Sequence, residues 1–284
     1  VVDIYGTTAV VQCHSVGMYH ARQQIAEALR TVYGGRLTAI YDKSSQTLPF
    51  KADLGAVDGY LWGHAEHSSQ VVTENGERFL VNWEKGQKTG FFLDQRENRE
   101  LVKRYAKGRT VLNTFCYTGG FSLALLKGGA AEVVSVDSSQ EALDMAAANA
   151  RRNGFEGDCA KFVCKDVFTY LRELRDAGEK FDLVILDPPK FASNHRHVER
   201  AARAYKDINL NGLKLLLPGG QLFTFSCSGA VDVDLFQKIV AGAVFDAKVD
   251  AWAVGRFGGG IDHPLLMTYP EGEYLKGLHL LVRP

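Results

Sequence analysis

The sequence lacks cysteine pairs, long apolar runs and an excess of charge of either sign. Its five cysteines are scattered, without the short paired spacings of a zinc site or a secreted disulfide framework, so we expect a reducing cytoplasmic compartment and no metal site. No apolar run approaches the roughly 20 residues of a membrane helix, so no membrane partner is expected. Lys and Arg together number 33, as do Asp and Glu, so any nucleic-acid surface must be local.

The sequence contains enough apolar residues for a sizeable core. Its 284 residues are 46% hydrophobic, which suits one large domain or two smaller ones. The chain begins inside an apolar run, VVDIYGTTAVVQCHS, as expected for a fragment of a longer protein. Residues 1–84 mix short strand-like runs with one helical pattern, and Asn75-Gly76 between two apolar runs predicts a hairpin. We therefore predict a small α+β domain over residues 1–84.

From Thr110 onward the pattern changes to strand, loop and helix in repetition. Strand-like runs such as TVLNTFC and FDLVILD are apolar at consecutive positions, which is typical of a parallel sheet covered on both faces. Two final runs, AKVDAWAV and YLKGLHLLV, have no helix between them and predict an antiparallel hairpin at the sheet edge. Residues 85–284 are thus predicted to form a doubly wound, Rossmann-like α/β domain with a mostly parallel sheet.

Polar residues follow several of these strands, where ligands bind in open α/β sheets. Gly119 and Gly120 permit close backbone approach after the first strand of the domain, and Asp137 ends the second, suitably placed for a ribose hydroxyl pair. Asp166 and Val167 end the third, a position typical of contacts to an adenine edge. The glycines do not spell G-x-G-x-x-G, which favours an adenosyl ligand without pyrophosphate over a dinucleotide.

The fourth and fifth strands end in more specific patterns. In LDPPKF, two prolines hold a rigid loop that starts at Asp187; a purely structural strand exit is the alternative. In FTFSCSG, Cys227 stands between two serines at the end of an apolar run. By composition alone such a thiol is usually a small buried hydrophobe, so a catalytic role depends on its neighbours.

These patterns together resemble a known family. VLNTFCYTGGFS, VSVDSS, LDPPKF and FSCS, in that order, resemble the class I S-adenosylmethionine-dependent methyltransferases. With GQKTGFFLDQRENR before them and DHP and YPEGEYLKG after, nearly the whole chain is similar to the bacterial large-subunit ribosomal RNA cytosine-C5 methyltransferases. That family carries an RNA-binding PUA domain, a small α+β domain and the catalytic domain, so the resemblance implies that the N-terminal part of the full protein is missing here. One departure is Asn113-Thr114, where the family's first strand usually ends in an acidic residue.

The resemblance implies S-adenosylmethionine as cofactor, large-subunit ribosomal RNA as partner and a set of site residues. A homodimer is compatible with the sequence. Cys227 is the expected nucleophile, Asp187 the partner of the cytosine N3/N4 edge, and Lys190 a group that lowers the thiol pKa or holds a phosphate. The expected cofactor-binding residues are Asn113, Phe115, Tyr117, Thr118, Gly119, Gly120, Asp137, Ser138, Asp166, Val167, Asp187 and Pro188.

Covalent catalysis suits this target because C5 of a pyrimidine is a poor nucleophile until a thiolate adds to C6. Cys116, on the glycine-containing loop, is the rival thiol. Candidates for the base that removes the C5 proton are Asp262, His263, Glu271 and water.

A basic tract from Lys190 to Lys206 predicts contacts to phosphates, with a solvated helix face as the alternative. Its cations are Lys190, Arg196, Arg200, Arg203 and Lys206, and its one acid is Glu199.

Two other functions remain open. One is methylation of an adenine or guanine amino group, although enzymes of that kind usually follow the two prolines with an aromatic residue, where Lys190 stands here. The other is a non-catalytic RNA-binding or dinucleotide-binding module. Only the thiol mechanism requires Cys227.

Overall fold

The computed structural model describes residues 1–49, 54–192, 194–269 and 272–284. Contacts divide the chain into the units Val1–Phe92 and Leu93–Pro284, whereas the sequence places the boundary after Glu84. Residues 85–92 lie with the first unit because Thr89 hydrogen-bonds the Tyr5 hydroxyl (2.9 Å) and the Phe91 ring packs on Phe79. Within the described ranges, no helix combines the length and apolar character needed to cross a bilayer.

The first unit contains a four-stranded sheet with two helices and a separate hairpin. In chain order its elements are β1 Val2–Tyr5, β2 Thr8–Val11, α1 Val16–His20, α2 Arg22–Tyr33, β3 Ala39–Asp42, β4 Gly59–Gly63, β5 Ser69–Glu74 and β6 Glu77–Asn82. The sheet order is β1-β2-β3-β4, with only β2 and β3 parallel. The β5–β6 hairpin turns at Asn75 and Gly76, both with positive φ, as the sequence predicts.

The second unit alternates strands and helices. Its elements are α3 Arg96–Val102, β7 Thr110–Thr114, α4 Gly120–Lys127, β8 Glu132–Asp137, α5 Gln140–Arg152, β9 Ala160–Cys164, α6 Val167–Asp176, β10 Phe181–Leu186, α7 Val198–Lys214, β11 Leu216–Ser226, α8 Val233–Ala247, β12 Ala251–Phe257 and β13 Lys276–Val282.

These strands form one seven-stranded sheet in the order β12-β13-β11-β10-β7-β8-β9. Strands β7 to β11 are parallel, and β13 is antiparallel to both β11 and β12. The prediction of a mostly parallel, Rossmann-like sheet with a C-terminal antiparallel hairpin is confirmed. The last strand of the chain, however, lies inside the sheet, between β11 and β12.

Apolar side chains cover both faces of the sheet, which accounts for the consecutive apolar positions. On β10, Leu183 and Ile185 belong to one buried cluster, with Leu125 of α4. Leu186 on the same strand belongs to the other, with Ile208 of α7. Fully burying one such aliphatic side chain stabilises the fold by about 1.5–3 kcal/mol. The chain passes from β7 outward to β9 and then crosses to β10, so the strand order reverses between β7 and β10, where the crevice of an open sheet forms.

Candidate active site at the carboxyl ends of the strands

The turn from β7 into α4 has an unusual backbone. Phe115 (φ 55°), Tyr117 (φ 48°) and Gly119 (φ 84°) all have positive φ. Bulky residues rarely adopt this conformation, and strain of this kind concentrates at functional sites. A Cβ on residue 119 would lie 3.0 Å from the Cβ of Ala146 on α5, so glycine is required there by both space and φ. The turn therefore brings the main chain close to the crevice.

Asp137, at the end of β8, is fixed by the neighbouring main chain. Its Oδ2 accepts a hydrogen bond from the Tyr117 N–H (2.9 Å) and its Oδ1 from the Ser139 N–H (3.0 Å). Ser138 is exposed beside it. Each carboxylate oxygen retains a second lone pair, so this half-buried carboxylate can also accept hydrogen bonds from a pair of ribose hydroxyls.

Asp166 caps helix α6. Its Oδ1 accepts hydrogen bonds from the backbone N–H (2.9 Å) and the hydroxyl (2.8 Å) of Thr169, and Val167 is buried in the core. The D-x-x-T spacing is itself an N-cap signal that the sequence analysis did not use. One oxygen of the carboxylate expected at the adenine edge thus has a structural role.

Three phenylalanine rings lie together beyond β7, β9 and β10. The ring centroids of Phe115 and Phe168 are 6.4 Å apart, those of Phe115 and Phe191 6.3 Å, and those of Phe168 and Phe191 5.8 Å. All three are only half-buried. Sequence reasoning missed Phe168 and Phe191. Apolar ring faces suit an adenine, and the Asp137 carboxylate suits a ribose, so these residues fit the expected adenosyl cofactor.

Asn113, one of the residues expected to bind cofactor, lies in the interior. Its Nδ2 donates to Ser122 Oγ on α4 (2.8 Å), which is 2.7 Å from Ser135 Oγ on β8. Only 1% of Asn113 is exposed. Thr118 is also buried, and its carbonyl accepts from Asn149 Nδ2 (3.1 Å). Where the family usually has an acidic residue, this chain therefore has a buried polar network that ties β7 to α4 and β8.

Asp187 accepts a hydrogen bond from a buried glutamine. Gln95 Nε2 donates to Asp187 Oδ1 (3.0 Å), and Gln95 Oε1 accepts from Asn98 Nδ2 (2.6 Å). Asn98 also donates to the carbonyl of Gly258 (3.0 Å). Gln95 and Asn98 lie in the FLDQRENR segment, and sequence patterns alone predicted no role for either. Their spacing of three residues, which places both side chains on one side of the helix start, was the available signal.

Cys227 follows β11 directly and lies beside the loop after β10. Its Sγ is 3.8 Å from the Pro188 carbonyl oxygen, and the side chain is half-buried. The flanking residues are held by Tyr205 of α7, whose hydroxyl lies 2.9 Å from Ser226 Oγ and 3.0 Å from Ser228 Oγ. Burial raises the pKa of Tyr205, so its hydroxyl keeps its proton. The structure brings Cys227, Pro188 and Asp187 together, whereas Lys190 is exposed.

The rival thiol, Cys116, has a different environment. It is buried, and its Sγ lies 3.7 Å from the carbonyl oxygen of Tyr117. Burial, and then the carboxylate of Asp137, raise the pKa of Cys116 well above its usual range. Because the thiolate is the nucleophilic form, Cys116 is the poorer candidate.

Two of the three side chains considered as the base form a hydrogen-bonded group with Arg96. His263 Nδ1 lies 3.0 Å from Asp262 Oδ1, and Arg96 donates to Asp262 Oδ2 (2.9 Å). Burial acts to raise the pKa of Asp262, but the His263 hydrogen bond and the charge of Arg96 outweigh it, so the pKa lies below its usual range. Asp262 is thus an ionised partner that orients His263. Glu271 lies outside the described residues.

Two cations of the basic tract form ion pairs with carboxylates, one of them with a residue outside the tract. Arg203 lies 3.5 Å from Glu199 on the same helix, and Lys206 forms a 2.8 Å ion pair with Asp246 of α8. Four of its cations are exposed: Lys190, Arg196, Arg200 and Arg203.

Comparisons with known proteins agree with this geometry. Residues 47–246 match the S-adenosylmethionine-dependent methyltransferase family. The chain is 47% identical over 282 residues to ribosomal RNA large subunit methyltransferase I of Aeromonas salmonicida, covering 99% of this chain and 71% of the relative. It is 46% identical over 276 residues to the protein of the same name from Erwinia tasmaniensis, covering 97% and 69%.

A crystal structure of SMU.776 complexed with SAH superposes with a TM-score of 0.87 and 27% identity, covering 99% of this chain and 71% of that one. The fold and the residues at its strand ends define a class I S-adenosylmethionine-dependent methyltransferase, with S-adenosylmethionine as the cofactor. Within that class, the chain belongs to the family of the ribosomal RNA large subunit methyltransferases I.

Proposed function

We propose that the protein methylates C5 of a cytosine in large-subunit ribosomal RNA through a covalent bond between Cys227 and C6. The observation that carries the proposal is the half-buried thiol of Cys227, 3.8 Å from the Pro188 carbonyl and beside the loop that begins with Asp187. The name of the relatives, ribosomal RNA large subunit methyltransferase I, supports the RNA class.

The chemistry requires a nucleophile because C5 of cytosine does not accept an alkyl group at a useful rate. When Cys227 Sγ forms a bond to C6, the C5–C6 double bond is lost and C5 gains the character of an enamine carbon. After C5 has accepted the methyl group, loss of the C5 proton re-forms the double bond and breaks the bond between C6 and sulfur. The thiolate is regenerated, so the enzyme turns over.

Asp187 is placed to serve the opposite edge of the base. Attack at C6 moves negative charge toward N3, and a proton held between N3 and the Asp187 carboxylate neutralises that charge. The Gln95 hydrogen bond to Oδ1 orients the Asp187 carboxylate, which in this proposal faces the N3/N4 edge of the base. In this proposal His263, oriented by Asp262, accepts the C5 proton.

S-adenosylmethionine supplies the methyl group as a sulfonium substituent. In this proposal Asp137 holds the ribose, and the rings of Phe115, Phe168 and Phe191 pack against the adenine. The turn from Phe115 to Gly119, which contains residues with positive φ, would present main-chain groups to the methionine part of S-adenosylmethionine. The exposed cations of the basic tract contact phosphates, and the target base leaves its stack at a cost of a few kcal/mol.

The proposal is tested by identifying the methylated nucleoside. We expect that the protein, incubated with S-adenosylmethionine carrying a deuterated methyl group and an unmodified large-subunit ribosomal RNA transcript, places the label in 5-methylcytidine. Nuclease digestion and mass spectrometry measure this, with a small-subunit transcript as the control. Label in an N-methylated adenosine or guanosine would replace the proposal with the amino-group alternative. Absence of label, with binding of a nicotinamide dinucleotide instead, would support the non-catalytic module.

A further inference from the structure

A buried lysine lies behind the loop that carries Cys227. Lys276 begins β13 and is paired with Ser226, the residue before Cys227, in the antiparallel register of β11 and β13. Its side chain is oriented inward, since only 3% of the residue is exposed. The Nζ donates hydrogen bonds to the carbonyls of Ser228 (2.9 Å) and Val231, which both belong to the segment between Cys227 and α8.

A charged group in this position is costly unless something nearby requires it. Removing an ammonium from water carries a desolvation penalty. The carbonyls of Ser228 and Val231 accept hydrogen bonds from it, but a neutral donor could satisfy them without that penalty. Accordingly, burial lowers the pKa of Lys276. Three groups oppose this effect and favour the ammonium form: first Cys227, then Glu273 and Asp232. Lys190 acts in the same direction as burial.

The surroundings of Lys276 distinguish these groups. Glu273 and Asp232 are both exposed, so water screens their charges, and Asp232 Oδ1 caps α8 by accepting from the Leu235 N–H (2.7 Å). Tyr205, on α7, remains neutral. The group with which a buried ammonium interacts under least screening is therefore the half-buried sulfur of Cys227.

We propose that the buried ammonium of Lys276 favours the thiolate form of Cys227 over the thiol, so that Lys276 acts as a positioning residue for the nucleophile. Linkage is reciprocal: a thiolate that favours the ammonium is favoured by it to the same extent. The inference rests on the proposed function, in which Cys227 is the nucleophile. Lys276 thus takes one of the two roles predicted for Lys190, that of favouring the thiolate, whereas Lys190 is exposed.

The test is the pH dependence of alkylation of Cys227 by iodoacetamide in the intact protein, resolved by peptide mass spectrometry between pH 5.5 and 10. In the unmodified protein we expect a midpoint below about 8.5, the value for a free thiol. In Lys276→Met the alkylation rate at pH 7 is expected to fall about tenfold as the midpoint moves to higher pH, because an adjacent cation favours the thiolate. Lys276→Arg is expected to restore most of the rate.

The matched control is Lys180→Met. Lys180 is exposed and directly precedes β10, at the end of the strand opposite Asp187. Removing its charge should leave the pH profile of Cys227 alkylation unchanged. A midpoint at or above 8.5 in the unmodified protein would overturn the inference without any variant. So would a Lys276→Met profile that is slower at every pH but keeps its midpoint, as expected if Lys276 only supports the loop. A shift produced by Lys190→Met and not by Lys276→Met would also overturn it.

This readout separates the inference from the proposed function, because alkylation needs neither RNA nor cofactor. If Cys227 has a low midpoint that depends on Lys276 but is dispensable for methyl transfer, the function fails and the electrostatic role stands. If Cys227 is essential but alkylates with the midpoint of an ordinary thiol, the role of Lys276 alone is overturned.

Discussion

Cys227→Ala is expected to lower methyl transfer to RNA by on the order of 1,000-fold or more, while binding of S-adenosylhomocysteine remains unchanged. Without the sulfur no bond to C6 forms, so C5 stays unreactive. Asp137 and Phe115, the residues proposed to hold the cofactor, belong to other strand ends, and their contacts do not involve the thiol. Single-turnover rates with a labelled methyl group and calorimetry with the homocysteine product measure the two quantities.

The control is Cys159→Ala. Cys159 is also half-buried, and its Sγ also lies near a main-chain carbonyl, that of Glu156 at 3.3 Å. Cys227, however, follows the last residue of β11, whereas Cys159 stands before the first residue of edge strand β9. Its replacement should leave the rate within about twofold, because it cannot reach the crevice. Full methylation by Cys227→Ala would return that thiol to a structural role and favour an exocyclic amine as the target.

Asp187→Asn is expected to lower kcat by about 100- to 1,000-fold, with a smaller effect on the KM for RNA. The amide has nearly the same shape and can still accept from Gln95 Nε2, so the loop keeps its geometry. It carries no charge, however, and cannot hold a proton at N3 while sulfur attacks C6. Steady-state kinetics with an RNA transcript separate kcat from KM.

The same substitution at the other end of β10 provides the matched control. Asp182 Oδ2 accepts from the Thr110 N–H (2.8 Å), so Asp182→Asn changes a hydrogen-bonded aspartate that lies far from the crevice. We expect it to leave kcat unaltered. Equal losses of activity in Asp187→Asn and Asp182→Asn would indicate a structural effect and remove Asp187 from the chemistry.

Much of the catalytic sheet is predictable because its strands and helices carry local signals. Strands such as β10 are buried on both faces and therefore show unbroken apolar runs, and left-handed Gly119 marks the turn into α4. The same signals place Asp137, Asp187 and Cys227 at one edge, since parallel strands end together.

Contacts between distant segments were not predictable in this way. Gln95 bonds Asp187 across a long stretch of chain, and no periodic pattern specifies that pairing. Lys276 reaches the Cys227 loop only because β13 lies between β11 and β12, whereas the sequence predicts a hairpin without its order in the sheet. The hydrogen bond of Asn113 to Ser122 was not predictable either, because a strand's end does not reveal which side chains are oriented inward.

The central claim, a bond from Cys227 to C6 of cytosine, is tested most directly with large-subunit ribosomal RNA transcribed with 5-fluorocytidine. Fluorine cannot leave C5 as a proton does, so the methylated adduct cannot release the enzyme. We predict a protein–RNA complex that survives denaturation, requires S-adenosylmethionine, is absent in Cys227→Ala and persists in Cys116→Ala. A stable complex formed by Cys227→Ala, or none formed by a protein that methylates ordinary transcript, would contradict the account.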